Sequence, residues 1–263
     1  MKRFQNTGNN ILPIGFVAIF CIVWEVVSRI FVVPAFILPA PTKVIQTLMK
    51  TFPTMLNHLT ITLYEALVGF VVAIILSVLI SIMMDSVSIL KQAFYPIIIT
   101  SQTIPIMTLA PLFAIWFGYG YLPKIVVVVL VCFFPITISL LEGLGSVDKE
   151  LLDLLRAMGA NKMQIYRIVK LPSVLPNFFS GLKIAGTYSV MGAIIGEWVG
   201  GKKGLGVYML RVRHSFATDK VFATIIIITL LSILLLKGIH LIEKKTMPWM
   251  QYLNKEVEEE KKR

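Results

Sequence analysis

The sequence predicts an all-α integral membrane protein with six transmembrane helices. Three observations carry that prediction. Hydrophobic residues make up 57% of the 263 and charged residues only 15%, against a usual charged share of about a quarter. A soluble domain of this size would have more apolar surface than it can hide. Six stretches, 11–33, 59–84, 93–117, 122–142, 174–199 and 221–242, reach the roughly 20 residues a helix needs to cross the hydrocarbon core. None alternates polar and apolar residues with period two, as a barrel strand would. Amides inside lipid find no water to bond, so these spans are helices.

Taken in order, the first span follows Lys2 and Arg3. That start resembles a signal peptide, but no small-residue cleavage site follows and the run continues hydrophobic from Glu25 to Phe36, so the span is expected to be retained. Glu25 and Arg29 lie four apart and pair on one helix face. Residues 34–42, rich in proline, read as an extended link, with Thr42 as the N-cap of a short amphipathic helix to about Lys50. Segments 85–91 and 118–123 read as tight turns, and 143–173 and 200–220 as the long loops.

In the third span, Pro105 and Pro111 break the helix, and Gln102 and Thr103 precede the first break. Prolines free carbonyls and broken helices tend to line a path, so these residues are assigned to a translocation path rather than to simple kinking. Ser189, Gly192, Gly196 and Gly200 set small residues along the fifth span, which implies close helix packing within a subunit or between two. Glu197, near the outer end of that span, has two readings: a gate or solute contact on the path, or an interfacial residue hydrated at the outer surface. Glu65 and Glu142 lie near span ends, where snorkelling or helix-end solvation suffices. The tail from Lys244 alternates Glu and Lys and reads as a solvated end.

The formal charge of +11 does not point to nucleic acid, because the basic residues sit between apolar runs rather than in one patch. They are better read as topology signals. With both termini in the cytoplasm, the inner side holds Lys2, Arg3, Lys91, five basic residues of 149–170 and the C-terminal cluster. The outer side holds Lys43, Lys50, Lys124 and five basic residues of 200–220, which conflicts with the positive-inside rule. Cys21 and Cys132 both lie in apolar runs, so no disulfide framework is expected. His58, His214 and His240 lack ligand spacing, and no metal or catalytic constellation is read.

The loop between the fourth and fifth spans carries the functional signal. Asp148 is placed to cap a helix whose apolar residues Leu151, Leu152, Leu155 and Met158 recur at threes and fours. Gly159 suits its end or a sharp bend. A second short helix is expected from about Asn161 to Val169, stopped by Pro172 and Pro176 before the next span. Neither helix is long enough to cross, and an exposed element with apolar teeth and basic flanks is a docking surface.

That segment resembles the cytoplasmic coupling loop of ABC importer permeases: Glu-Ala-Ala, three residues, Gly, nine residues, Ile-x-Leu-Pro. The matching positions are Asp153-Leu154-Leu155, Gly159 and Val169-Lys170-Leu171-Pro172. The glycine, the spacings and the Leu-Pro agree; Asp-Leu-Leu replaces Glu-Ala-Ala. Leu38-Pro39-Ala40-Pro41, Ile104-Pro105-Ile106, Ala110-Pro111-Leu112, Trp116-Phe117-Gly118-Tyr119-Gly120, Gly204-Leu205-Gly206 and Thr218-Asp219 resemble the nitrate, sulfonate and taurine branch. Tyr188 to Gly192 and Gly206-Val207-Tyr208 look more like permeases for hydroxymethylpyrimidine, a thiamine precursor.

The resemblance implies a type I ABC importer permease fold in the cytoplasmic membrane. Residues 1–57 would be a first span with its link and short helix, 58–243 the permease core with a coupling loop at 148–172, and 244–263 a cytoplasmic tail. Asp153, Arg156, Gly159, Ala160, Met163, Tyr166, Leu171 and Pro172 would serve the contact with a separate ATPase. That partner would hold ATP and Mg, this chain binding no cofactor itself. An extracytoplasmic binding protein would deliver the solute, and a second permease copy, most simply identical, would complete the path in the lipid bilayer. The implied solute is an aminopyrimidine or related thiamine precursor, with sulfonate, taurine or nitrate as alternatives. The chain has no G-x-x-x-x-G-K-[ST]; Gly200-Gly201-Lys202-Lys203-Gly204 ends wrongly. A secondary transporter driven by an ion gradient would need no coupling loop.

Overall fold

The computed structural model describes residues 11–30 and 34–250. Lys2 and Arg3, the last residues of the first span, and the charged tail beyond residue 250 therefore lie outside the described residues. Every regular element among those described is helical: α1 (Ile11–Ile30), α2 (Pro41–Ser86), α3 (Ser88–Ser101), α4 (Ile106–Phe117), α5 (Leu122–Gly145), α6 (Lys149–Ala157), α7 (Lys162–Ile165), a π-turn (Tyr166–Lys170), α8 (Leu171–Trp198), α9 (Leu205–His214) and α10 (Thr218–Thr246). Among the described residues five helices are long and apolar enough to span a membrane, and the bent pair α3–α4 counts as a sixth if its two halves form one span.

The first correction concerns α2. The expected short helix and second span are one 46-residue rod that passes Pro53 and residues 57 and 58 without a break. At about 1.5 Å per residue it is about 69 Å long, twice the hydrocarbon core of about 30 Å, so one end stands outside lipid. Its N-cap is Ala40 and not Thr42, with Pro41 at the first helical position, where a missing N–H costs nothing. The capping acceptor comes from α1 instead. Glu25 accepts from the Thr42 amide at 3.0 Å and from its hydroxyl at 2.8 Å, and Arg29 holds the same carboxylate at 2.6 Å.

The second correction concerns the third span: it breaks at Pro105 as expected, but Pro111 lies inside α4 without a break. The span's halves, 14 and 12 residues long, meet at a 101° bend across residues 102–105. Each half reaches only about 18–21 Å, so neither crosses alone. Pro105 forces the residue before it out of helical geometry and itself stands at the N-cap of α4.

A third correction falls on the second short helix of the 143–173 loop. Pro172 and Pro176 do not stop it: α7, the π-turn and α8 run on as one helical body from Lys162 to Trp198. The Leu171 amide bonds the Tyr166 carbonyl, five residues back. That wider turn accommodates Pro172, which lacks an N–H and whose ring would otherwise meet the carbonyl four residues earlier.

Helices α2, α5 and α8 form the centre. Val128, Cys132 and Ile136 of α5 pack with Ala66 and Ala73 of α2 and with Ala185, Val190 and Ala193 of α8. Small residues let the backbones approach, the usual basis of helix association in lipid. A Cβ built at Gly196 would lie 2.9 Å from the Lys124 Cα, so this part of the small-residue stripe serves packing within one chain. By contrast, α1 exposes Leu12, Phe16 and Phe20, a face that suits lipid.

Candidate functional site

Two polar constructions stand at opposite ends of this bundle, one at the start of α8 and one at its end. The first is the segment between α5 and α8. Asp148 caps α6 by accepting from the Glu150 amide at 2.9 Å. At the far end of α6 the Ala160 amide reaches the Leu155 carbonyl and the Gly159 amide reaches that of Arg156, both at 3.0 Å. These two bonds define a Schellman ending. Gly159 takes φ +83°, and a Cβ there would touch nothing. The glycine is therefore needed for its backbone conformation, not for room. Asn161 and Gln164 then open α7 with reciprocal bonds of 2.8 and 2.9 Å, a capping box.

The product is a handle. None of α6 is buried, and the apolar side chains of Leu154, Met158, Met163 and Ile168 are 57%, 75%, 71% and 66% exposed. Asp153 and Arg156 pair with each other at 2.8 Å on the surface. Gly159, Leu171 and Pro172 are exposed as well, and Ala160 is half-buried. Of the residues expected in this segment, Tyr166 behaves differently. Its hydroxyl turns inward and bonds the Asp85 carboxylate of α2, which also pairs with Lys170 at 2.6 Å. Asp85 was not legible as a site residue; its signal is a lone acid closing an apolar span.

The second construction joins α2, α5, α8 and α9. Three successive amides at the start of α9 each find a side-chain acceptor. Gly204 donates to His58 Nδ1 at 3.0 Å, Leu205 to the Thr62 hydroxyl at 2.8 Å, and Gly206 to Glu197 Oε2 at 2.6 Å. The Thr62 hydroxyl in turn donates to Glu197 Oε1 at 2.6 Å. A carboxylate at a helix N-terminus also meets the favourable end of the dipole. Gly204 has φ +129°, and a Cβ there would overlap the Glu197 carboxylate. Glu197 is 1% exposed: the structure turns it onto α9, not into surface water.

Beside it, Glu65 is fully buried rather than solvated at a span end, and Lys124 binds its Oε1 at 2.7 Å. Lys124 is thus a buried partner and not a free marker of the outer surface. Taking either charge into a dry site unpaired would cost several kcal/mol, which explains why the two occur together. His58, Thr62 and Lys124 were missed as site residues, although opposite charges just inside two apolar spans were a signal. Next to the cluster a cavity of about 370 Å³ is lined by Tyr119, Tyr121, Lys124, Lys202 and Lys203, among others.

Gln102, Thr103, Pro105 and Pro111 lie together on the bent pair, all exposed on the surface of this single chain. Thr103 donates to the Thr100 carbonyl at 2.7 Å. Glu197 stands apart from that group in burial and in bonding.

Comparison with known proteins adds the following. Residues 69–247 match the family described as binding-protein-dependent transport system inner membrane component. The formylaminopyrimidine transport permease protein ThiX of Halalkalibacterium halodurans is 37% identical, over 90% of this chain and 95% of its own length. The putative aliphatic sulfonates transport permease protein SsuC of Bacillus subtilis is 29% identical, over 94% and 89% respectively. A crystal structure of an amino acid ABC transporter superposes with a TM-score of 0.60 at 17% identity, covering 76% of this chain and 97% of that one. The last likeness concerns the fold alone.

Proposed function

This chain belongs to the binding-protein-dependent transport system inner membrane component family, and from that premise we propose that it imports an aminopyrimidine-type thiamine precursor with energy delivered through the handle at 148–172. It is the permease subunit of an ABC importer, a multi-pass protein of the cytoplasmic membrane. The observation that carries the proposal is the exposure of Leu154 and Met158 on and just after α6, too short to cross lipid, and of Met163 and Ile168 at the start of a 37-residue helical body longer than the hydrocarbon core. Apolar side chains held outside the bundle by a capped, glycine-hinged element are what a partner protein's groove receives.

In this reading a separate ATPase subunit grips the handle from the cytoplasm, where both termini also lie, and holds the ATP and Mg. The end bearing α9 and the 370 Å³ cavity faces outside, where a binding protein delivers the solute. A second copy closes the path against the exposed face of α3 and α4, with Gln102, Thr103, Pro105 and Pro111 towards it. The solute follows the similarity to ThiX, at 37% against 29% for the sulfonate permease.

The test is reconstitution of this chain with the ATPase and binding protein from its own source. Uptake of a labelled aminopyrimidine that needs all three proteins and ATP supports the proposal. Uptake that survives ATP depletion while an ion gradient is maintained would refute it in favour of a secondary transporter. Uptake of sulfonates but not of aminopyrimidines would overturn the solute alone.

A further inference from the structure

Asp85 is an acid in the last turn of α2, the end where the helix dipole disfavours negative charge. Its side chain is 8% exposed, and it is held there by two groups from one short stretch. Lys170 reaches it at 2.6 Å with its own side chain 15% exposed, and the Tyr166 hydroxyl donates to the same oxygen. The Lys170 ammonium also lies 4.9 Å from the centre of the Tyr166 ring, a cation–π distance. Tyr166 and Lys170 are the first and last residues of the π-turn. An unfavourable placement made good by two groups that also touch each other marks a junction between elements, not a surface ion pair.

The junction gives the handle two mechanical connections. One runs along the backbone, because α7 continues through the π-turn into α8. The other crosses through Asp85 into α2. At the opposite end the same two helices are joined again, by Thr62 to Glu197 at 2.6 Å, and α2 is tied to α5 by Glu65 and Lys124. Thr62 and Asp85 are 23 residues apart in one helix, about 34 Å at the usual rise. Two helices fastened at both ends of that length move as one body, and α9 is bonded to that body through the amides of Gly204, Leu205 and Gly206.

We propose that Asp85 is a positioning residue for transport: it passes displacement of the handle into α2, so that α2 and α8 carry α9 together. The inference rests on the reading of 148–172 as the ATPase's grip. Without the Asp85 contact, the handle would swing on the π-turn and move α8 alone.

The test uses the complete importer in proteoliposomes, with ATP hydrolysis and solute uptake measured on the same vesicles. Asp85→Asn is expected to assemble and to hydrolyse ATP within about twofold of wild type, while uptake falls at least about tenfold, the scale of losing a charge-assisted contact. The ATP consumed per solute then rises in proportion, which a merely structural defect would not produce. The exchange Asp85→Lys with Lys170→Asp restores the contact with reversed sign and is expected to recover most of the lost uptake. Asp85→Asn with wild-type uptake overturns the proposal, as does a parallel loss of hydrolysis and uptake. Should Asp85→Asn yield no complex, the exchange decides: recovered complex and uptake support the junction, and absence of both overturns it. The two levels separate cleanly, because a wild-type chain that binds no ATPase sinks the handle itself, whereas a bound, coupled Asp85→Asn sinks only this junction.

Discussion

Replacing Gly204 with alanine should unseat α9, and the size of the effect follows from the geometry. Gly204 has φ +129° and ψ 161°, a region open essentially to glycine alone and costing other residues about 1–3 kcal/mol. The added methyl would also overlap the Glu197 carboxylate. Displacing it weakens the bonds from Thr62 and Gly206, both 2.6 Å long, and hydrogen bonds to charged groups contribute about 1.5–3 kcal/mol each. Strain and both bonds together give a loss of up to about 4–9 kcal/mol. Glu197→Gln keeps one acceptor oxygen and the same shape, so it forfeits one of those bonds, about 1.5–3 kcal/mol. At about 2–4 °C per kcal/mol for a chain of this size, Gly204→Ala should melt on the order of 10 °C lower and Glu197→Gln clearly less. Thermal unfolding of the purified chain in nanodiscs reads both, with Trp198 next to the cluster as a fluorescent reporter. A Gly204→Ala protein that melts with wild type, or a Glu197→Gln protein that loses as much as it does, would refute the reasoning.

Other expectations come from the same contacts. Lys124→Met should destabilise by about 3–5 kcal/mol, because it leaves the Glu65 carboxylate buried without a partner; Glu65→Leu combined with Lys124→Met should regain most of it, and denaturation of the single and double variants checks this. At Gly159 the φ of +83° should cost alanine about 1–2 kcal/mol, and the space around the position is open. Gly159→Ala should therefore assemble and transport, while Gly159→Trp should fold equally well yet fail to bind the ATPase. Equal uptake by the two would show that the position does not face a partner.

The spans and the handle were legible because each is a local pattern. Runs of apolar residues announce α5 and α10, and Asp148, Gly159 and Asn161 punctuate α6 and α7 by rules that act over a few residues. What escaped was set by tertiary structure. Glu65 and Lys124 lie 59 positions apart and Asp85 and Lys170 lie 85 apart, so nothing near either one in sequence reveals the pairing. Thr42 has the chemistry of an N-cap, but Glu25 of α1 supplies the acceptor and the helix starts two residues earlier. Pro172 is a helix stop in most settings; here the π-turn before it removes the clash. Glu197 admitted a path or a hydrated surface, and the structure gives it a third task, accepting from the Gly206 amide of α9 and from the Thr62 hydroxyl.

The most direct test of energy delivery through the handle is a cysteine at Met163, which is 71% exposed, on an otherwise cysteine-free chain in native membranes. It should form a crosslink to an ATPase subunit and react with a maleimide only when the cytoplasmic face is opened. Labelling by an impermeant maleimide from outside intact cells, with no crosslink to a nucleotide-hydrolysing partner, would contradict the assignment.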